Sequence, residues 1–205
     1  MNDHAAPVVV QTRAFTDPNL FILYPYVFLP QPDWQLLINN SIQEKIFGLF
    51  SKVKEMGYYE PGVTEYRGSY EMKNNQLGIL SFTFSSFANM PGLAHPVNGL
   101  NSLTFNATTG EITKLSDLFM PNSHYVERLN ELILEQIEAR NIPLLNGFPG
   151  ISRNQSFYLA DKTVVIYFDQ YEISPGYVGF PTFPIPGFKI QDILNENSVY
   201  FTLLT

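Results

Sequence analysis

Leu77-Gly78-Ile79-Leu80-Ser81-Phe82-Thr83-Phe84-Ser85-Ser86-Phe87-Ala88 sets Leu80, Phe82, Phe84 and Ser86 in alternation with Ile79, Ser81, Thr83 and Ser85. Successive side chains of an extended chain point to opposite faces, so a period of two over this length reads as a β-strand. Thr64 to Lys73 upstream is a second strand, and Asn74-Asn75 is read as the tight turn joining the two into a hairpin.

Working outward, Asn98 to Asn106 is the next strand, and Ala107-Thr108-Thr109-Gly110 turns into Glu111-Ile112-Thr113. Towards the start, Val8 to Phe15 and Phe21 to Leu29 are β-branched and aromatic runs separated by the turn-forming Thr16-Asp17-Pro18-Asn19. Pro25 inside the second run predicts an edge or a bulge, because proline has no N–H to give a ladder. Between these strand groups Trp34, Leu37, Ile38, Ile42, Ile46, Leu49, Phe50 and Val53 recur at spacings of three and four, with Asp33 placed to cap the helix they form and Gly57 to end it. Gln35, Asn39, Gln43, Lys52 and Lys54 are assigned to its water-facing side, and Trp34 to the core rather than to a ligand platform.

A second helix is predicted from Pro121–Ser123 to Asn141, with Val126, Leu129, Ile133 and Ile137 on one face. Ser156 to Leu159 and Val164 to Phe168 follow as strands. Phe180 to Ile185 is extended by its prolines, a short helical or irregular piece spans Ile190 to Leu194, and Ser198 to Leu203 is the last apolar run. The pattern predicts an α+β fold in which two long helices, about 33–56 and 122–140, share one mostly antiparallel sheet. Residues 1–63 supply N-terminal strands and a helix, residues 64–205 the main sheet and helix region, and the two form one continuous unit that leaves room for two subdomains.

Composition narrows the function. The 205 residues carry a formal net charge of −7 with no Lys/Arg cluster, which disfavours nucleic acid and leaves a basic protein as the electrostatically favoured partner. Cysteine is absent, so disulfides and thiolate chemistry are excluded. His4, His95 and His124 share no metal-binding spacing, and no phosphate loop or nucleophile elbow occurs; no metal or cofactor is expected. Glu60 with Glu65, or Asp169 with Glu172, are the carboxylate pairs that acid–base catalysis could use. No segment is apolar enough over about 18 residues to span a bilayer. The start Met1-Asn2-Asp3-His4 lacks the basic and apolar stretches of an export signal, so the chain as written is expected to be soluble and unexported.

Two loops stand out as binding candidates: Asn89 to Gly99, rich in glycine and proline around His95, and Tyr171 to Pro181, which combines Tyr171, Glu172 and Tyr177. The same segments carry a family resemblance. Ala94-His95-Pro96, Asn101-Ser102-Leu103-Thr104-Phe105-Asn106, Thr109-Gly110-Glu111 and Lys114-Leu115-Ser116-Asp117-Leu118-Phe119 form its central signature. Phe157-Tyr158-Leu159, Val165-Ile166-Tyr167-Phe168, Gln170-Tyr171-Glu172-Ile173-Ser174-Pro175, Gly179-Phe180-Pro181 and Phe183-Pro184-Ile185-Pro186 form the later one. In order and spacing they resemble the extracellular domain shared by RsiV-type anti-sigma factors and PdaC-type peptidoglycan deacetylases. The resemblance implies a domain displayed outside the bacterial cytoplasmic membrane, which binds lysozyme in the first type and accompanies a separate deacetylase domain in the second. The chain as written is expected to lack the anti-sigma segment and the deacetylase domain, so only the binding module is expected to carry over. The function expected is a non-catalytic envelope module for a basic, lysozyme-like protein or for cell-wall glycan, with His95, Tyr171, Glu172 and Tyr177 as ligand-binding residues. The alternative is an enzyme acting on cell-wall material through His95, Asp169 and Glu172.

Overall fold

A computed structural model describes residues 6–205, so His4 and the Met1–His4 start lie outside the described residues. The chain divides between Ile112 and Thr113 into two compact units. Among the described residues the first unit holds a six-stranded sheet in the order β1 (Val9–Asp17), β2 (Leu20–Phe28), β3 (Glu65–Gln76), β4 (Ile79–Asn89), β5 (Val97–Asn106) and β6 (Glu111–Ile112). Neighbours pair antiparallel except β2 and β3, which run parallel over Leu20–Ile22 against Tyr66–Gly68, making the sheet mixed.

Helix α1 (Pro32–Glu55) packs on β2, β3, β4 and β5. Ile38, Ile42, Ile46, Leu49 and Val53 are buried against Leu80, Phe82, Phe84 and Phe105, the alternating face that the strand pattern offers. Each such aliphatic side chain contributes about 1.5–3 kcal/mol on full burial. Gly99 sets how close the helix comes, because a Cβ there would stand 2.8 Å from Leu49 Cδ2 and 2.7 Å from Ser86 Oγ.

Several sequence expectations change here. The hairpin turn is Leu77-Gly78, both at positive φ, while Asn74 and Asn75 belong to β3 beside a register shift between Met72 and Asn74. Their amides hold neighbouring backbone instead: Asn75 exchanges two 2.8 Å bonds with Val8, and Asn74 Nδ2 donates to Ile79 O. The helix starts from Gln31 with Pro32 in its first turn, so Asp33 is not the cap. Leu37 is 49% exposed, and Asn39, assigned to the water side, is 4% exposed. The physical reason lies in β2, whose pairing with β3 ends at Ile22. Beyond that point Pro25 has a strand partner on one side only, and Asn39 gives Val27 a substitute ladder: Val27 N–H donates to Asn39 Oδ1 and Asn39 Nδ2 to Val27 O, each 2.8 Å.

The second unit contains α2 (Tyr125–Ala139), an antiparallel sheet β7 (Phe157–Ala160), β8 (Thr163–Tyr167) and β9 (Thr182–Pro186), and α3 (Val199–Leu204). Leu129, Leu132, Ile133 and Ile137 form the buried stripe of α2. Gln136 Nε2 and Arg140 Nη1 reach the carbonyls of Pro184 and Thr182 on β9, at 3.1 and 2.7 Å. An edge position suits the prolines of β9. The expected α+β class is observed, with two long helices, but they do not share one sheet: α1 lies on the six-stranded sheet and α2 packs on β9. An apolar stripe demands a cover without specifying which strands provide it. The last apolar run folds as α3, where Ser198 Oγ accepts the Tyr200 N–H at 3.2 Å.

Candidate functional site

The connection between β8 and β9 is held by its own side chains. Glu172 Oε2 accepts the Asp169 N–H at 2.6 Å, and the Glu172 N–H donates to Asp169 O at 3.1 Å, so the two residues close a reciprocal turn. Gln170 Nε2 spans the loop to Gly176 O at 2.7 Å. The Val178 and Gly179 N–H groups donate to Pro175 and Gly176, forming a 3-10 turn over Gly176–Val178, and the Phe168 N–H closes the base on Pro181 O at 3.1 Å. Ile173 and Ser174 are buried below.

This scaffold presents two aromatic rings to solvent. Tyr171, at φ +68°, is 63% exposed and Tyr177 is 82% exposed. The ring of Tyr171 lies across Gly176, where a Cβ would stand 2.2 Å from its Cζ, so glycine is what lets the ring lie flat. The Leu145 N–H donates to Ile173 O at 2.9 Å, bringing a second loop alongside, and the Leu145 side chain is itself 48% exposed. Sequence reading passed over Leu145; its signal is the pair Leu144-Leu145 between Pro143 and Asn146-Gly147, apolar residues inside turn chemistry.

Tyr171, Glu172 and Tyr177 therefore share one loop of the second unit. His95 belongs to the first unit, exposed in the connection between β4 and β5, where the Leu93 N–H donates to Met90 O at 3.2 Å. Of the two carboxylate pairs, Asp169 and Glu172 meet through the backbone contact just described. Glu65 forms a 2.7 Å ion pair with Arg67, and Glu60 uses its carbonyl to accept the Val63 and Thr64 N–H groups. Among the described residues no three His, Asp or Glu side chains are grouped so as to hold a metal ion. No helix among them is long and apolar enough to cross a membrane. The arrangement is suited to contact: rigid, partly apolar and open to solvent.

No curated protein matches the sequence. Solved structures that share the fold at low identity include two described as DUF3298 proteins. One is a DUF3298 family protein from Pseudomonas aeruginosa, with TM-score 0.67 and 14% identity over 93% of this chain and 96% of that one. The other is a DUF3298 family member from Bacteroides fragilis, with TM-score 0.66 and 14% identity over 100% and 99%. Residues 116–187, which hold α2, β7 to β9 and the Tyr171–Tyr177 loop but not His95, match the family model described as a protein of unknown function (DUF3298).

Proposed function

We propose that this chain is a non-catalytic binding module of the bacterial cell envelope that recognises a basic, lysozyme-like protein through the Tyr171–Pro181 loop. The observation that carries the reading is the pair of exposed rings, Tyr171 and Tyr177, on a loop whose backbone is already fixed by Gln170 and Glu172. Preformed loops lose less entropy on binding, and tyrosines are among the side chains that most often dominate interface energy. The net charge of −7 and the exposed Glu172 favour a basic partner over a neutral glycan. His95, on the first unit, is assigned to binding with Tyr171, Glu172 and Tyr177. The envelope setting rests on the resemblance to the extracellular domain of RsiV-type and PdaC-type proteins. Catalysis by His95, Asp169 and Glu172 is the weaker reading, because Glu172 Oε2 is already engaged with the Asp169 N–H.

Titration against lysozyme and against purified peptidoglycan tests the proposal. Tyr177→Ala should weaken lysozyme binding by about 1–3 kcal/mol, and Glu172→Gln should slow association and flatten its salt dependence. Binding to peptidoglycan alone transfers the assignment to glycan. Peptidoglycan hydrolysis that disappears in Glu172→Gln transfers it to the enzyme reading.

A further inference from the structure

A second feature of the first unit, independent of the aromatic loop, has the makings of a ligand site. At one end of the six-stranded sheet an open cleft of about 610 Å³ lies between the tip of the β1–β2 hairpin, the start of β3 and the end of β4. That volume is within the range that holds small organic ligands, roughly 300–1,000 Å³. Its walls are joined by the β2–β3 and β3–β4 pairing and, at the hairpin tip, by Asn19. Asn19, at φ +59°, donates from Nδ2 to Gly62 O at 2.7 Å and accepts the Tyr66 N–H on its own carbonyl at 2.8 Å. The hairpin tip is thereby tied to the segment that enters β3.

The lining chemistry is mixed in a specific way. Phe21 and Val63 are large apolar side chains left 40% and 43% exposed on the cleft. Glu65 and Arg67 line it as an ion pair in which Arg67 Nε meets Glu65 Oε1 at 2.7 Å, so the pair uses neither terminal guanidinium nitrogen of Arg67. Asp17 and Asn89 complete the polar rim. A simple anion would face Glu65 and Asp17 beside the one guanidinium, and a simple cation would face Arg67. A ligand carrying both charges satisfies both: a carboxylate takes the terminal nitrogens of Arg67, and an ammonium takes Asp17 or Glu65. The exposed Phe21 and Val63 offer an apolar side chain a contact between them.

We infer that this cleft binds a short peptide with free termini and an apolar C-terminal side chain, its carboxylate on Arg67 and its ammonium on the Asp17 and Glu65 carboxylates. The probe is the dipeptide Ala-Phe, titrated into the isotope-labelled protein while amide NMR signals are followed, with C-amidated Ala-Phe, N-acetylated Ala-Phe and free phenylalanine as comparison arms. Ala-Phe should shift the signals of residues 16–21, 63–67 and 89–91 and saturate in the millimolar range. Amidation, or Arg67→Gln, should weaken binding about three- to fivefold, the scale of a charge-assisted pair on a guanidinium that stays largely open to water. In Arg67→Gln the acid and the amide should bind alike. N-acetylation and Asp17→Asn should each weaken it by a smaller factor. Absence of saturable shifts, equal binding of acid and amide by the unmodified protein, or equal binding of free phenylalanine would each overturn the assignment. Arg67 and Asp17 are surface residues, so circular dichroism suffices to show that the variants fold.

Discussion

The connections β4–β5 and β8–β9 look alike in sequence and differ in construction. Both are rich in glycine and proline and both follow well-patterned strands. In the first, the Leu93 N–H on Met90 O makes one local turn, and Pro91, Gly92, Ala94, His95 and Pro96 are exposed. In the second, Gln170 and Glu172 turn back onto the loop's own backbone, Ile173 and Ser174 are buried as an anchor, and the rings of Tyr171 and Tyr177 are what remains outside. Restricted residues mark where a chain turns. Whether the turn is rigid depends on side chains that satisfy its backbone and on apolar residues that hold it down.

The anchor gives the largest contrast. Ile173 is 2% exposed, so Ile173→Ala should cost about 2–5 kcal/mol of unfolding free energy in urea titrations, within the range for large-to-small core changes. Leu93→Ala, in the half-buried position of the other loop, should cost under about 1 kcal/mol. Equal losses would dissolve the distinction between an anchored and an open loop.

Alkali probes the base of the first loop. Tyr66 pairs with Ala88 just before that loop begins, and burial pushes its phenol up to about 12. The folded state therefore holds this proton more tightly than the unfolded chain does. The stabilisation is fully present below pH 10 and is lost as pH rises from 10 through about 12, to the extent of about 2–3 kcal/mol at roughly 1.4 kcal/mol per pKa unit. Denaturation of Tyr66→Phe across this window should lack that part of the slope; an unchanged slope would remove Tyr66 as its source.

The smallest stability effects come from paired glycine changes. Gly92→Ala meets no atom within 4 Å and should cost about 1 kcal/mol through its φ of +92° alone. Gly176→Ala drives a methyl into the far end of the Tyr171 ring, which can swing away, so stability should fall by less than about 1 kcal/mol. The Tyr171 ring signals in NMR should nonetheless move, and affinity for the partner should drop with them. Unmoved ring signals would show that Gly176 does not set the orientation of Tyr171.

The strands from Val9 to Asn106 and the helices over 32–55 and 125–139 were readable because periods of two and 3.6 are properties of the chain itself. So was the alternating aromatic face of β4, which meets α1. The loops of His95 and Tyr171 were legible as loops from their glycines and prolines. Asn39 was misplaced because a polar residue on a helix signals water unless a backbone group elsewhere lacks a partner, and Val27 lies 12 positions away. The turn was misplaced for a related reason: Asn74 and Asn75 have turn chemistry, yet the carbonyl of Ile79 and the backbone of Val8 made strand positions more favourable for their amides.

By itself the sequence determined the class of the fold, the positions of its longer elements and the exclusion of cysteine chemistry, since each follows from composition or from periodicity along a local stretch. Only the tertiary structure decided that the helices lie on different sheets, that Leu145 stands beside Ile173, and that Glu172 closes a turn on Asp169 while Tyr171 and Tyr177 stay exposed. Those outcomes depend on which buried donors and acceptors find partners and which apolar faces find a cover. Both are settled among residues that the order of the chain does not place together.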